Sequence, residues 1–490
     1  MNTSSSRTAL SRIVRICRSA AFGLVVVSVV AAPGPCSAQA VLLTVGPHGT
    51  YPTIQGALAG IVNGGVNELR IEAGTFMENV VIDTSTVVFY EGELHISGGW
   101  DPAFATQTAD PDLTVIDGNG VDRCLFLGLP PTSPNTKVSL ANLTLTGGEA
   151  MRGGGMYFSA SGNLRLEISD CLIDANTAEH TIGPRGGGLY ANMSGSGNSL
   201  WVHDSRIEHN VCTGGSSALG GGAYVDISGF SPVTFERVRF VSNQVENDSE
   251  IRGAGLSLRV DAGAVGSVTD SDFVNNQAIS SASPTVTGTG IQVGVYDTGW
   301  AKVLRNKLFI NSSQTGLGNQ LQLVASGAAQ LRAGDTVVAG GDEGVGASVR
   351  DTALLALTNL TSVNNTDHGL VFYIGDPTAT ASVHNSVFYG NGTDLTLQQG
   401  AGTIANSHNL VGVDPIFVNP AGFNFKLSAG SPAENAGTNS PPAGLGDADC
   451  DGAVRVIAGT VDMGAYEGID VLFSDGFALR TLRWSDVVGD

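Results

Sequence analysis

Gly186–Asn210, GGGLYANMSGSGNSLWVHDSRIEHN, is the segment of this 490-residue chain from which the fold is inferred, because both ends of the segment recur along the sequence. A glycine cluster opens each copy, and an apolar residue shortly before an asparagine closes it. The glycine clusters are separated by 33, 34, 33 and 35 residues and start at Gly153, Gly186, Gly220, Gly253 and Gly288. The closing apolar residues are Ile173, Ile207, Phe240, Phe273 and, slightly out of step, Phe309. Two marks that keep one period over five copies indicate stacked supersecondary units.

Each repeat contains three short strand-like segments. In the second copy they are residues 188–192, 200–202 and 206–208, which contain several β-branched or aromatic side chains and lie between turn-forming residues. No long helical pattern separates them, which excludes leucine-rich and βαβ solenoids. Short strands wound in one sense with turns between them predict a parallel β-helix, a solenoid with three short strands per coil.

The closing asparagines form a column for which the predicted fold supplies a structural role. An Asn at the same turn of every coil can hydrogen-bond to the turn backbone and to the Asn of the next coil. A second column, three residues before the apolar position, places Arg237 between Asp204 and Asp270 on coils about 4.8 Å apart. We expect an exposed Asp–Arg–Asp ladder there, worth about 1 kcal/mol at most.

Two segments of different character flank the repeat region, residues 149–412. Residues 41–148 form the predicted N-terminal cap and first coils, and include a short helix in which Thr53 caps apolar residues at helical spacing. Residues 413–468 are rich in Pro and Gly and are predicted to wrap the last coil as a C-terminal cap. Residues 469–490 form a short tail.

Residues 1–40 have the pattern of a signal peptide. Four arginines, the last of them Arg18, precede an apolar run at residues 20–32, and a small-x-small cleavage site ends at Ala40. The alternative, a membrane anchor, is disfavoured because the apolar run is short for a bilayer. The sequence therefore predicts a secreted or cell-surface protein, with no transmembrane segment in the mature chain.

The charge of the chain limits its partners. With Lys+Arg 24 against Asp+Glu 45 the net charge is −21, which argues against nucleic acid and anionic membranes as partners. A polyanionic glycan would need a local basic groove or a bound cation.

Four cysteines follow the predicted cleavage site: Cys124, Cys171, Cys212 and Cys450. Export permits disulfides, but the two repeat cysteines stand in different columns. We therefore favour small buried hydrophobic side chains over a disulfide framework.

The repeats resemble those of right-handed β-helix proteins in the pectate-lyase-like superfamily. Their glycine clusters and Phe-x-x-Asn words are similar to the polymorphic membrane protein repeats of bacterial surface adhesins. Three C-terminal words, at residues 414–417, 430–433 and 461–467, resemble the "choice-of-anchor Q" module of secreted bacterial β-helix proteins. These resemblances imply an all-β, single-stranded right-handed parallel β-helix and surface attachment, without implying a common activity.

Another resemblance concerns the first coil. Residues 51–55 and 74–79 resemble the opening of pectin methylesterases. The later motifs that carry the catalytic aspartates and arginine of those enzymes are absent here, so the opening words indicate fold alone.

No catalytic residues are assigned from the sequence. The motif Asn365-Thr366-Asp367-His368-Gly369 resembles one of the motifs of polygalacturonases, but the other motifs of that family are missing. A lyase needs a base next to a uronate carboxylate, and the one local basic patch consists of Lys302, Arg305 and Lys307. For the first of these segments a coil turn with solvated polar side chains is the favoured interpretation, and a catalytic role for the basic patch is disfavoured.

One segment has the spacing of a metal site. Asp447, Asp449 and Asp451 alternate before Gly452, as in a loop that binds Ca²⁺ through oxygen ligands. The acidic residue expected at loop position twelve is replaced by Ala458. The segment predicts either a structural Ca²⁺ site in the cap or a hydrogen-bonded Asp turn.

The preferred function is non-catalytic binding of an extracellular polysaccharide or cell-surface glycan by a monomeric, adhesin-like protein. The alternative is a polysaccharide lyase or glycoside hydrolase, and a passive envelope spacer is a third interpretation. Tyr157, Tyr190 and Tyr224 share one register. Their exposure on one face would favour glycan stacking, but an inward aromatic stack would give the same spacing.

Overall fold

The computed structural model describes residues 40–87, 91–129, 135–282, 285–316, 318–400, 402–457 and 459–468. The predicted signal peptide, apart from Ala40, and the C-terminal tail lie outside the described residues. Between them the chain winds into a right-handed parallel β-helix, which confirms the predicted fold class.

Three long parallel sheets form the faces of the solenoid. Sheet 1 has 13 strands, which are Ala40–Val45, Val66–Glu72, Gly92–Trp100, Thr136–Ala141, Leu164–Ser169, Ser199–His203, Pro232–Glu236, Val265–Thr269, Trp300–Leu304, Gln330–Gly334, Leu354–Thr358, Thr380–His384 and Ile404–Ser407. Sheet 2 has 12 strands, which are Gly74–Met77, Thr114–Asp117, Thr144–Thr146, Leu172–Asp174, Arg206–Glu208, Arg239–Val241, Asp272–Val274, Lys307–Phe309, Val337–Ala339, Thr361–Val363, Val387–Tyr389 and Leu410–Val411. Sheet 3 has 11 strands, which are Val80–Asp83, Leu125–Leu129, Met156–Ala160, Leu189–Met193, Ala223–Ile227, Leu256–Val260, Ile291–Val295, Asn319–Ala325, Glu343–Val349, His368–Ile374 and Thr393–Gln399.

The middle coils carry extra strands between sheets 2 and 3. Sheet 4 consists of Glu149–Ala150, Thr177–Glu179, Val211–Thr213, Gln244–Glu246, Gln277–Ile279 and Ser312–Ser313. Sheet 5 consists of Ala218–Leu219, Glu250–Arg252 and Thr285–Thr287. The three predicted strands per coil are therefore supplemented in this region, because the longer repeats leave chain between the Asn turn and the next glycine cluster.

Few elements of the described chain lie outside the parallel sheets. The short helix Ile54–Leu58 begins after Thr53, whose side chain accepts a hydrogen bond from the Gly56 amide, as predicted. Ile54 and Leu58 pack into the solenoid core. The 3-10 turns Pro111–Leu113 and Pro420–Gly422 and the antiparallel pair Phe417–Asn419 and Asn424–Leu427 complete the described elements.

The asparagine column is structural, as predicted. The amide N–H of Asn210 donates to Oδ1 of Asn243 at 3.1 Å, and the Asn210 side chain donates to the Ile173 carbonyl of the preceding coil at 2.8 Å. The same pattern repeats through the buried side chains of Asn176, Asn210, Asn243, Asn276 and Asn311. Gln320 then accepts from the Asn311 amide at 3.1 Å and ends this run. Each turn thereby satisfies polar backbone groups that no strand pairs.

The glycine clusters pack against the asparagine column, since a Cβ on Gly188 would lie 2.9 Å from Cγ of Asn210. Gly186 has φ +64°, and a Cβ there would lie 2.2 Å from the Leu189 carbonyl oxygen, which no side chain tolerates. The sequence aligns Phe309 of the fifth copy with Phe273 of the fourth. In the structure Leu308 is paired with Phe273, so the fifth copy is offset by one residue.

The predicted Asp–Arg–Asp ladder is half correct. Arg237 donates to both oxygens of Asp204, at 2.6 and 2.8 Å, which lowers the pKa of that carboxyl group to about 2. Asp270 instead accepts two hydrogen bonds from Arg305, both at 2.7 Å. The displaced fifth copy places Arg305 above Asp270, so two separate ion pairs replace one ladder.

The four predicted mature-chain cysteines are buried and unpaired. Burial raises the pKa of each thiol to about 12, so they remain neutral. They fill small gaps in the packing, as the sequence indicates.

The C-terminal segment is attached to the coils through a buried guanidinium. Arg455 is 1% exposed and donates to Asp335 at 2.7 Å and to the Gly464 carbonyl at 2.7 Å. With its amide oxygen facing this group, Asn359 accepts at 2.6 and 2.8 Å. Glu467 lies 3.6 Å from the same guanidinium. One cation therefore joins the C-terminal segment to two successive coils.

We expect this attachment to weaken as the pH rises from about 5 to 8. Burial raises the pKa of Glu467 from 4.5 to about 7, so in this window the folded protein binds a proton that the unfolded chain does not. Stability then falls with rising pH, by an amount on the order of 2 kcal/mol. Comparing chemical denaturation of the native protein and Glu467→Gln across this range isolates the effect. Equal pH slopes in the two proteins would contradict this expectation.

Candidate binding groove

One outward column of sheet 3 carries the aligned tyrosines. Phe126, Tyr157, Tyr190 and Tyr224 are in register on successive strands. The rings of Tyr157 and Tyr190 meet edge-on at 4.7 Å, and those of Tyr190 and Tyr224 stack at 5.7 Å. The column lies outside the solenoid core, but Tyr190 and Tyr224 are only 3% and 5% exposed, and Leu219 packs against both of them. In this aromatic ladder, Tyr190 and Tyr224 are therefore covered rather than open for stacking, and Tyr157 is partly buried beside them.

Arginine side chains lie over this ladder. The guanidinium of Arg123 is 5.2 Å from the Tyr157 ring centre, that of Arg152 is 5.5 Å from Tyr190, and that of Arg185 is 4.8 Å from Tyr224. Such cation–π contacts hold the guanidinium groups in place without neutralising them.

The aromatic column gives way to polar residues where the ladder ends. Its next members are Ser257, Gln292 and Gln322. Two adjoining cavities, of about 220 and 310 Å³, lie over this part of sheet 3. Both are lined by Arg252, Gln292 and Tyr296, so they form one depression, which we call the sheet-3 groove.

The walls of the groove come from three structural sources. Arg252 and Thr287 belong to sheet 5, which forms one edge. Tyr296 follows the strand Ile291–Val295, and its ring lies on Gly294, where a Cβ would be 2.6 Å from the phenol oxygen. Arg350 follows Glu343–Val349 and lies at the far end, opposite the end that Arg185 lines.

The groove is locally cationic on an acidic protein. Arg252 pairs with Glu250, and Arg259 pairs with Asp261 at 2.8 Å. Arg185 and Arg350 have no ion pair among the described residues. The pKa of Asp226, which lies 3.8 Å from Arg259, is raised by burial. The net effect is a polar groove with an uncompensated positive charge near each end.

Sequence reasoning missed these arginines, although a signal existed. Arg152, Arg185 and Arg252 each immediately precede a glycine cluster, in three of the five repeats. Backbone bridges pair Arg152 with Arg185, Arg185 with Leu219 and Leu219 with Arg252, so this position forms a column that continues into sheet 5.

The basic patch identified in the sequence is dispersed. Arg305 binds Asp270, and Lys307 binds Asp451 at 2.9 Å. Lys302 lines a separate cavity of about 150 Å³ beneath the C-terminal segment, beside Arg332. These three cations do not form a common site.

The three aspartates of the predicted Ca²⁺ loop have different surroundings. Asp449 is buried and accepts hydrogen bonds from the backbone amides of Asp451, Ala453 and Glu467. Asp451 pairs with Lys307 and Lys426, and the pKa of its carboxyl group is lowered. The spacing thus serves a hydrogen-bonded turn, and Ca²⁺ binding there stays a prediction.

Sequence comparisons give no relative: no family model matches the chain, and no curated protein matches it. Among solved structures, the chain is similar to the pectate lyase Pel9A, with 12% identity over 88% of this chain and 97% of that one, at a TM-score of 0.42. A pectin methylesterase from Aspergillus niger is also similar, with 12% identity over 78% and 93% of the two chains, at a TM-score of 0.28. Such distant likenesses indicate no function.

No helix among the described residues is both long enough and apolar enough to cross a membrane.

Proposed function

We propose that the protein is exported and binds an extracellular glycan along the sheet-3 groove without cleaving it. The observation that supports this most directly is the groove itself, in which Arg252, Gln292 and Tyr296 face two adjoining cavities. Guanidinium, amide and hydroxyl groups hydrogen-bond to sugar hydroxyls and carboxylates, and a tyrosine ring offers an apolar face.

The dimensions suit a chain rather than a single sugar. From the strand Leu189–Met193 to the strand Glu343–Val349 there are five steps along sheet 3. At about 4.8 Å a step this is roughly 24 Å, enough for several sugar units. The charges of Arg185 and Arg350 favour a glycan with carboxylate groups, despite the negative charge of the whole protein.

The lining argues for binding over hydrolysis. Glycoside hydrolysis uses two carboxyl groups that flank the scissile bond. Among the described residues that line the two cavities, Glu250 is the one carboxylate, and it is paired with Arg252. The alternative of a lyase or hydrolase remains an outcome of the test below.

Surface location is part of the proposal. It is supported by the predicted signal peptide at residues 1–40 and by the resemblance of residues 413–468 to the choice-of-anchor Q module. The resemblance of the repeats to those of surface adhesins supports the same location.

We expect the protein spanning residues 41–490 to bind an acidic polysaccharide, and Arg252→Ala to weaken that binding at least tenfold. The substitution removes a wall of the groove and leaves Glu250 unpaired, so uronate-containing chains should lose more affinity than neutral ones. Affinity electrophoresis and calorimetry on a panel of neutral and acidic polysaccharides measure the effect.

Arg165→Ala is the matched control, because Arg165 is an exposed arginine on sheet 1, away from the groove. Equal losses in both variants would place binding elsewhere. Retention on no polysaccharide would favour the spacer interpretation. Release of reducing ends or of unsaturated uronates from a polysaccharide would overturn the hypothesis that the protein binds glycan without cleaving it.

A further inference from the structure

We propose that Glu343, Asp367 and His368 form a binding site for a divalent transition metal such as Zn²⁺. One ligand atom from each residue, a ring nitrogen and two carboxylate oxygens, lies within 4.8 Å of the other two. The residues come from two adjacent coils, at the start of the strand Glu343–Val349 and of the strand His368–Ile374. The sequence contains the Asp367-His368 pair, but only the fold brings Glu343 to it.

The backbone fixes the relative position of the two coils here. The Asp367 amide donates to the Asp342 carbonyl at 2.8 Å, and the Thr366 amide donates to the Gly341 carbonyl at 3.0 Å. The turns that carry the ligands are therefore hydrogen-bonded to one another directly. The cluster is a consequence of coil stacking rather than of flexible side chains meeting at the surface.

The contact between the imidazole and the carboxylate is not a hydrogen bond. Nδ1 of His368 lies 3.0 Å from Oδ1 of Asp367, yet this buried nitrogen has no satisfied hydrogen bond among the described residues. The two atoms are close but poorly directed toward each other. Atoms that share one tetrahedral Zn²⁺ have this relation, because ligands at about 2.0–2.1 Å from the metal lie roughly 3.3 Å apart.

The carboxylates lack a compensating cation from arginine or lysine. Within the described residues, neither Glu343 nor Asp367 forms an ion pair with an arginine or a lysine. The ligand oxygens of Glu343 and Asp367 lie within 4.8 Å of each other, so their negative charges repel. A divalent ion would remove this repulsion.

A hydrogen bond from a neighbouring residue orients one of the three proposed ligands. The Asn319 side-chain amide donates to Oε2 of Glu343 at 2.5 Å, which restricts the orientation of this carboxylate. Ligating carboxylates in metal sites are commonly held by such outer hydrogen bonds.

The donor set selects the class of metal. One nitrogen and two oxygens suit Zn²⁺, Co²⁺ or Mn²⁺, whereas Ca²⁺ prefers six to eight oxygen ligands. Three protein ligands leave at least one position open for water. The site does not rest on the proposed glycan function, and its test uses metal alone.

The test is calorimetric titration of the protein spanning residues 41–490 with Zn²⁺, Co²⁺ and Ca²⁺ at pH 7.5, after treatment with a chelator. We expect one high-affinity Zn²⁺ or Co²⁺ site per chain, with Ca²⁺ at least tenfold weaker. Bound Co²⁺ should give a visible absorption spectrum of low coordination number. Affinity should fall as the pH drops toward 5, because protons compete for the ligands.

His368→Gln and Glu343→Gln should each weaken Zn²⁺ binding at least tenfold. His180→Gln, which alters an exposed histidine on another coil, should leave it unchanged. Far-ultraviolet circular dichroism checks that each variant is folded, and a failure of one leaves the other as the test. Absence of a stoichiometric site, unchanged affinity in both variants, or equal affinity for Ca²⁺ would overturn the proposal.

Discussion

Replacing Asn243 by alanine should lower the free energy of unfolding by about 3–5 kcal/mol. Oδ1 of Asn243 accepts from the backbone amide and the side-chain amide of Asn210, and its Nδ2 donates to the Ile207 carbonyl at 2.8 Å. The substitution leaves the Asn210 N–H and the Ile207 carbonyl without these partners in a fully buried turn. Each unsatisfied buried group costs about 1–3 kcal/mol. The methyl group of alanine replaces neither hydrogen bond.

Urea denaturation followed by circular dichroism measures this effect. Asn192→Ala is the control, because Asn192 is an exposed strand residue of sheet 3 whose side chain donates a hydrogen bond to the Tyr190 hydroxyl at 3.3 Å. We expect the control to change stability by about 0.5 kcal/mol or less. If Asn243→Ala lowered the free energy of unfolding no more than Asn192→Ala, the asparagine column would contribute little to stability.

The coil can be predicted from the sequence because the residues that repeat at each period are those that the backbone conformation requires. Gly186 occurs where φ is +64°, and Asn210 occurs where the turn has unpaired backbone groups, so these residues repeat at every coil. The fold class, the position of the strands and the capping of the first helix by Thr53 follow from such local requirements. The extra strands of sheets 4 and 5 were not predicted, since pairs and triplets of residues such as Ala218–Leu219 have no pattern of their own.

The candidate sites were less predictable because they depend on stacking across coils. Arg252 and Tyr296 are 44 positions apart and share a groove only after one coil lies on the next. The one-residue displacement at Leu308 likewise places Arg305 above Asp270, and the basic patch is dispersed because Lys302 lies on sheet 1 and Lys307 on sheet 2. The domain boundaries, the signal peptide and the export of the chain remain predictions.

Replacing Arg455 by methionine should release the C-terminal segment from the solenoid, at a cost of about 3–5 kcal/mol. Asp335 is 3% exposed, and its pKa is raised by burial, although the Arg455 charge opposes that rise. Without the guanidinium, Asp335 keeps its burial and loses its cation. Removing one partner of a buried ion pair lowers stability more than replacing both partners by apolar residues, because an uncompensated charge remains.

The effect should be confined to the end of the molecule, and this distinguishes it from the loss of Asn243. Hydrogen exchange should accelerate in residues 413–457 and 459–468 and in the coils that carry Asp335 and Asn359, while the amides of the coils between Gly153 and Asn243 keep their protection. Lys426→Met is the control: Lys426 is 52% exposed and pairs with Asp451 at the surface, so its loss should cost about 1 kcal/mol or less. The double variant Arg455→Met/Asp335→Asn should recover part of the stability, since it removes the orphaned charge. If the double variant were as unstable as Arg455→Met alone, the geometric attachment to Gly464 and Asn359, rather than charge, would account for the role of Arg455.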